Sequence, residues 1–197
     1  MRPGEAPGTA MSDVGGALAA TAARLRRSTV RVHDAAGRGS GSGVVWSRGD
    51  VIVTNAHVVC TRDAVVEYAG GRRVRARVVA RDTSRDLAAL HVPGAALPAA
   101  EVRPSSGLLA GELVLAVGNP LGLVGALSVG LVQRCSARWV IADVKLAPGN
   151  SGGPLADAAG RVVGINSMVA GGLAYAVPSD AVATLLERLR LVVTRAA

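Results

Sequence analysis

The sequence predicts an all-β protein, an antiparallel sandwich or barrel closed by a C-terminal helix, and three observations predict it. From Thr29 onward the chain breaks into short Val-rich runs: STVRVHD, SGVVW, DVIVTN, AVVEYAG, RVRARVVA, DLAALHV, ELVLAVG, SVGLVQR, WVIADVK, RVVGINS and LAYAVP. Gly, Pro, Asp, Asn or Ser bounds each run, and these are the residues that turn a chain between strands. No long helical periods alternate with the runs, so βαβ units and a parallel sheet are excluded.

Composition narrows the class. The chain has 197 residues, half of them apolar and 18% charged, which is a globular composition and not a disordered one. Its 25 glycines follow no three-residue period, which excludes collagen, and no apolar run approaches the roughly 20 residues of a membrane helix. Phe is absent, and Trp46, Trp139, Tyr68 and Tyr175 are the only aromatics, so the core is built of Val, Leu, Ile and Ala. The net charge of +8 invites a nucleic-acid partner, but there are too few aromatic platforms to stack bases, and none is expected. Two cysteines and three histidines match no zinc-site spacing, so no metal or other cofactor is expected. Cys60 and Cys135 flank apolar strands and are expected to be reduced, buried and non-catalytic, with a disulfide linking the two halves as the alternative.

Taken in order, residues 1–16 are rich in Gly, Pro and small polar residues and are expected to form a loose tail. A helix follows, with Leu18, Ala22 and Leu25 on one face and arginines at its C-terminal end, where the helix dipole favours them. Ala20-Thr21-Ala22 imitates a signal-peptidase site, but the stretch before it is too weakly apolar, so a cytoplasmic location is the default. In RVRARVVA, Arg73, Arg75 and Arg77 alternate with apolar residues, the pattern of a strand wet on one face. Pro, Ser and Gly cluster at 98–111, which reads as a linker between residues 17–97 and 112–178. Beyond Pro178 the helical period returns over 179–190: Ser179 caps, Asp180 sits in the first turn, and Val182, Leu185, Leu186 and Leu189 form a stripe that docks on the second half.

The sharpest local feature is Pro148-Gly149-Asn150-Ser151-Gly152-Gly153-Pro154-Leu155. Glycines around a serine let the backbone turn tightly, expose the hydroxyl and aim the N–H groups of Gly149 and Ser151 at one point. An acyl-transfer nucleophile needs that arrangement, because such donors stabilise the developing oxyanion. It also needs a histidine base, held in its tautomer by an acid. His57, in Thr54-Asn55-Ala56-His57-Val58-Val59, ends a strand and follows a small residue, whereas His33 and His91 sit in ordinary strand contexts and read as structural. Asp86 opens the apolar strand Leu87-Ala88-Ala89-Leu90 and is the candidate acid, with Asp82 in RDTSRD as the alternative.

TNAHVV, DLAAL and GNSGGPL, in this order, resemble the trypsin-like serine peptidases, and specifically their HtrA/DegP-like branch. GSGVV, AVGNPLGL, ALSVGLVQR, GRVVGINS and LAYAVPSD extend the resemblance over about residues 17–190. It implies two six-stranded antiparallel β-barrels with the site between them, His57 and Asp86 from the first barrel and Ser151 from the second. It also implies an acyl-enzyme mechanism with Ser151 as nucleophile, His57 as base then acid, Asp86 as orienter, and the N–H groups of Gly149, Asn150 and Ser151 as the oxyanion hole. The pocket for the residue preceding the cleaved bond (P1) would be walled by Lys145, Leu146, Met168, Val169, Ala170 and Leu173. Those walls offer no carboxylate, so cleavage after Val, Ala or Leu is expected, with Lys145 either repelling cations or pointing to solvent.

Departures from the family's pattern carry further expectations. The sequence ends just past its helix, where relatives continue into a PDZ domain, so no PDZ gating is expected within it. The connection between GLVQR and WVIADVK is short. Residues 1–45 contain no aromatic of the kind that locks family trimers, so a monomer is the default. Tyr175 stands where the family has Phe. Polypeptides are the expected partners and quality-control or regulatory proteolysis the expected role, with the cell envelope as the location the resemblance implies. The alternative function is a latent or chaperone-like polypeptide-binding module whose triad is rarely assembled.

Overall fold

The computed structural model describes residues 8–195 except 47, 48 and 96. Twelve strands form two closed six-stranded barrels, all neighbours antiparallel. The first barrel comprises β1 (Thr29–Asp34), β2 (Ser40–Val45), β3 (Val51–Thr54), β4 (Asp63–Glu67), β5 (Arg73–Asp82) and β6 (Leu87–His91), joined around the barrel as β1-β2-β3-β6-β5-β4. The second comprises β7 (Leu113–Gly118), β8 (Ala126–Cys135), β9 (Val140–Ala142), β10 (Pro154–Asp157), β11 (Val162–Ala170) and β12 (Leu173–Pro178), joined as β10-β11-β12-β9-β8-β7. Closure leaves no free edge, which suits short strands that would otherwise present unpaired backbone groups.

Strand periodicity sorts the apolar side chains into three cores. In β6, Ala88 and Leu90 point into the first barrel while Leu87, between barrels, meets residues of the second. The same alternation places Ile52 inside and Val53 between, Val114 and Ala116 inside and Leu115 and Val117 between, Leu155 inside and Ala156 between. Strands buried on both faces therefore read as continuous apolar runs. Burying each Leu of this set is worth about 1.5–3 kcal/mol, so the inter-barrel core is a major part of the fold. By contrast, Arg73, Arg75 and Arg77 of β5 are exposed, as the alternation in RVRARVVA requires.

The helices differ in extent from expectation. Helix α1 spans Gly8–Arg27, so residues 8–16 are helical and not a loose tail; residues 1–7 of that tail lie outside the described residues. Gly15 and Gly16 each cost about 1 kcal/mol relative to Ala in a helix, a bias too small to stop one that continues into an anchored face. That face is Ala22 and Leu25, both buried, with Leu18 packed on the inter-barrel core. Helix α2 spans Ser179–Arg195 and packs against β5 and β6 as well as β11 and β12, so it bridges both barrels and not the second alone. Its Ala181, Val182 and Leu185 enter the inter-barrel core. Ser179 lies inside the first turn, and its hydroxyl donates to the Arg103 carbonyl (2.7 Å) where a cap was expected. Among the described residues no helix is long and apolar enough to cross a membrane.

Two further differences concern strands and linker. β10 is hidden in the glycine-rich motif, because Pro-Leu-Ala-Asp has too few large apolar residues to show a period, yet all four residues are buried. The 98–111 segment is pinned to both barrels: Ala100 N–H donates to Val45, Val162 N–H to Glu101, and Arg103 N–H to Val162. The Arg103 guanidinium also pairs with Glu112 (2.7 Å) and Asp157 (3.4 Å).

Candidate active site

His57 lies in the turn that follows β3, and Asp86 in the tight turn between β5 and β6. Thr54 pairs with Ala88, so the two turns emerge side by side. Asp86 has φ +56°, a left-handed conformation that a short polar residue tolerates better than most. The Asn55 side chain donates to the Asp86 carbonyl (2.9 Å) and holds that turn against the histidine turn. Asp82, the alternative acid, instead accepts from the Ser84 hydroxyl and the Arg85 N–H, closing the same turn without touching His57.

The Asp86 carboxylate faces the His57 ring: Nδ1 lies 3.0 Å from Oδ1 and 2.9 Å from Oδ2, and the His57 backbone N–H donates to Oδ1 (3.1 Å). Burial pushes the Asp86 carboxyl up. The bonds from the His57 ring, the Ser167 hydroxyl (2.6 Å) and the His57 backbone outweigh it, so the pKa falls below the ordinary aspartate value. The acid stays ionised, and an ionised acceptor on Nδ1 leaves Nε2 as the lone-pair nitrogen of the neutral ring. The side chain of His57 is 51% exposed and that of Asp86 23%, which leaves Nε2 open to the cleft.

Ser151 sits between β9 and β10. Gly152 (φ +85°) follows it, and a Cβ there would strike the Ser42 carbonyl oxygen, so only glycine fits. The Ser151 hydroxyl donates to the Ser167 carbonyl (3.0 Å), and among the described residues it makes no hydrogen bond to His57. Catalytic serine–histidine bonds are often long in the absence of substrate, so this geometry leaves the pair available. The N–H groups of Gly149 and Ser151 have no acceptor among the described residues, as an oxyanion hole requires. The Asn150 N–H is different: it donates to the Ala147 carbonyl (3.0 Å), so this third expected donor is already taken.

Beside Ser151 lies a cavity of about 400 Å³ lined by Leu146, Ala147, Pro148, Asn150, Ser151, Ser167, Met168 and Val169. Of the six predicted wall residues, Leu146, Met168 and Val169 are there. Lys145 is exposed and outside it, because it alternates with buried Val144 along an extended segment. Ala170 pairs with Leu173 at the far end of the β11–β12 hairpin, too far along it to reach the cavity. Both cysteines are free; Cys135 is half-buried, but Cys60 is exposed, contrary to expectation, because it lies on the turn after His57 and not in a strand. His33 faces Glu67 and His91 faces Asp50, each at 3.6 Å, both away from Asp86. Among the described residues no cluster could hold a metal ion.

Ser167 is a neighbour of the candidate site to which the sequence assigned no role. Its hydroxyl donates to Asp86 and its carbonyl accepts from Ser151, so one residue of β11 touches the acid and the serine at once. The only signal for it was its place in GRVVGINS.

Two barrels with a histidine and an aspartate from one and a glycine-framed serine from the other define a chymotrypsin-like fold. The chain belongs to the trypsin-like peptidase domain family, whose model matches residues 41–165. Within that family it is of the HtrA type. It is 36% identical over 168 residues to the putative serine protease HhoB of Synechocystis, covering 77% of this chain and 40% of HhoB. It is 35% identical to a probable periplasmic DegP-like serine endoprotease of Halomonas elongata, covering 80% of this chain and 36% of that protein. It is 36% identical to the mitochondrial serine protease HTRA2 of Drosophila pseudoobscura over 76% of this chain and 39% of the relative. The solved HtrA-type protease AlgW with tripeptide superposes with a TM-score of 0.79 at 28% identity, covering 86% of this chain and 62% of that one. The chain thus spans about two fifths of the length of these curated relatives.

Proposed function

We propose that the protein is a serine endopeptidase that hydrolyses polypeptides through an acyl-enzyme on Ser151. The observation that carries this reading is the bonded pair of Asp86 and His57 Nδ1, linked through Ser167 to Ser151, whose own N–H and that of Gly149 have no acceptor among the described residues. In this reading Nε2 of His57 takes the Ser151 proton as Oγ attacks the substrate carbonyl. The Gly149 and Ser151 N–H groups hold the resulting oxyanion, and His57 returns the proton to the leaving amine. Water then repeats the sequence on the ester. Asp86 stays ionised throughout and stabilises the imidazolium.

The cavity walls of Leu146, Met168 and Val169 offer no charge to a cationic side chain, which supports cleavage after Val, Ala or Leu. A peptide-library profile dominated by Arg or Lys at P1 would refute that preference. Polypeptides are the partners this reading supplies, in quality-control or regulatory proteolysis. The periplasmic name among the relatives supports the cell envelope as the alternative to the cytoplasmic default. The absence of aromatics from residues 1–45 supports a monomer, and a stable trimer in light scattering at micromolar concentration would overturn it. The activity itself is tested by a fluorophosphonate probe: it labels the wild-type chain at Ser151 and fails to label Ser151→Ala. A folded wild-type chain that takes no label, even with peptide present, would replace the protease with the binding module.

A further inference from the structure

Two motifs, Gly41-Ser42-Gly43 and Gly118-Asn119-Pro120-Leu121-Gly122, take no part in the chemistry above, yet the fold brings them together beneath the Ser151 loop. Ser42, on β2 of the first barrel, is 0% exposed and uses every polar atom it has. Its N–H donates to the Ser151 carbonyl (2.7 Å), and its own carbonyl accepts from the Thr54 hydroxyl (2.7 Å). Its Oγ accepts from the Asn119 backbone N–H (3.0 Å) and from the Asn119 side-chain amide (3.1 Å), and donates to the Gly149 carbonyl (2.7 Å). Gly41 and Gly43 permit the approach: a Cβ on Gly41 would lie 2.6 Å from the Ser151 carbonyl oxygen, and one on Gly43 would lie 2.7 Å from Ile52.

The direction of the Ser42 proton is forced. Asn119 accepts from Gly125 N–H at Oδ1 and donates to the Val30 carbonyl from Nδ2, so its amide cannot turn over without losing both bonds. Its two N–H groups therefore fill the acceptor positions of Ser42 Oγ, and the one hydroxyl proton is left for Gly149. Gly149 needs such a restraint, because at φ +105° it has no Cβ to fix the peptide planes on either side of it. The plane before it is held by Leu121 N–H on the Pro148 carbonyl (3.2 Å), and the plane after it by Ser42. The Gly149 N–H lies in the plane before it and moves with the Pro148 carbonyl; the Ser42 bond fixes the plane after it, so the two bonds together leave Gly149 little freedom to pivot.

We propose that Ser42 is a positioning residue for the oxyanion hole: its hydroxyl, oriented by Asn119, anchors the Gly149 carbonyl from the opposite barrel and so restrains the loop that carries the Gly149 N–H. The inference rests on the reading of Ser151 as the nucleophile. Loss of one oxyanion donor costs about 10²–10³ in kcat, so loss of the group that aims it is expected to cost about 10- to 100-fold.

The test compares Ser42→Ala with Ser105→Ala in the full chain. Ser105 is also a buried serine, and its hydroxyl donates to Asp180 and not to the Ser151 loop, so its loss weakens the fold by similar chemistry without touching that loop. Hydrolysis of a peptide with Val at P1 is measured for kcat and KM, together with inhibition by the matching peptide boronate, which mimics the tetrahedral intermediate on Ser151. The expected result is that Ser42→Ala lowers kcat about 10- to 100-fold with little change in KM and weakens the boronate in parallel, while Ser105→Ala changes neither. Equal kcat in the two variants overturns the proposal. If Ser42→Ala does not fold, Asn119→Ala serves instead; it frees the hydroxyl to turn, and an unchanged kcat in that variant also overturns the proposal. A wild-type chain that takes no fluorophosphonate overturns the nucleophile reading and this one with it, whereas a labelled wild type beside an unimpaired Ser42→Ala overturns this one alone.

Discussion

The first barrel brings His57 and Asp86 to the cleft already bonded to each other, while the second brings Ser151 with its hydroxyl turned to its own Ser167. The acid–base pair sits at the ends of adjacent antiparallel strands, where β3–β6 pairing sets the distance between the two turns. The serine sits on a loop whose conformation depends on glycine, and that loop is held from the other barrel by Ser42 and from its own by Leu121. The acid–base contact is therefore made within one barrel, whereas the serine loop is held in part from the other. This contrast gives the inter-barrel core, closed by α1 and α2, a catalytic consequence as well as a stabilising one.

The comparison breaks first on the proposed triad. Ser151→Ala and His57→Ala are each expected to lower turnover on the order of a million-fold, and Asp86→Asn about ten-thousand-fold, in a peptide-hydrolysis assay. Asp82→Asn is expected to change turnover little, because Asp82 closes a turn. If Asp82→Asn and not Asp86→Asn abolished activity in a folded protein, the acid would be misassigned.

A second test addresses the first barrel's own scaffolding. Asp34 is buried; burial pushes its carboxyl up, but the Thr61 hydroxyl and the N–H groups of Thr61, Cys60 and Ala36 outweigh this and hold its pKa below the ordinary value. A folded pKa below the unfolded one contributes stability that is complete above the unfolded value, near 3.9 for aspartate, and is lost as pH falls through the folded value. Asp34→Asn is expected to cost about 2 kcal/mol at pH 7. In urea melts the gap from wild type should narrow below about pH 4; a gap independent of pH would show that the ionised carboxylate is not what holds this turn.

Ser167→Ala sharpens the comparison across the barrels, because it removes the hydroxyl on Asp86 and leaves the carbonyl that accepts from Ser151. Roughly tenfold loss of kcat/KM is expected, about the worth of one hydrogen bond to a charged group; no loss would mean that His57 alone orients Asp86. The smallest effect concerns the thiols. Iodoacetamide should alkylate native Cys60 readily, whereas burial pushes the Cys135 thiol pKa up and its Sγ donates to the Ser105 carbonyl (3.2 Å), so it should react mainly after unfolding. Peptide mapping distinguishes the two, and equal native rates would sink the assignment.

The sequence by itself determined what is local. The alternation in RVRARVVA, the apolar run of β6 and the turn residues between strands were legible because a strand's period is read within a few residues. His57, Asp86 and Ser151 were legible because their chemistry demands particular neighbours: a small residue, an apolar strand and flanking glycines. The tertiary structure decided the rest. β10 has no period of its own and is a strand only because β7 and β11 flank it. Lys145, Ala170 and Leu173 were excluded from the cavity by side-chain direction and by position along a hairpin, which spacing does not encode. Asn150 lost its expected role to a single bond with Ala147. Ser167 and Ser42 act across 81 and 107 residues of chain, and no pattern in the sequence between them carries the distance that docking two barrels brings below 3 Å.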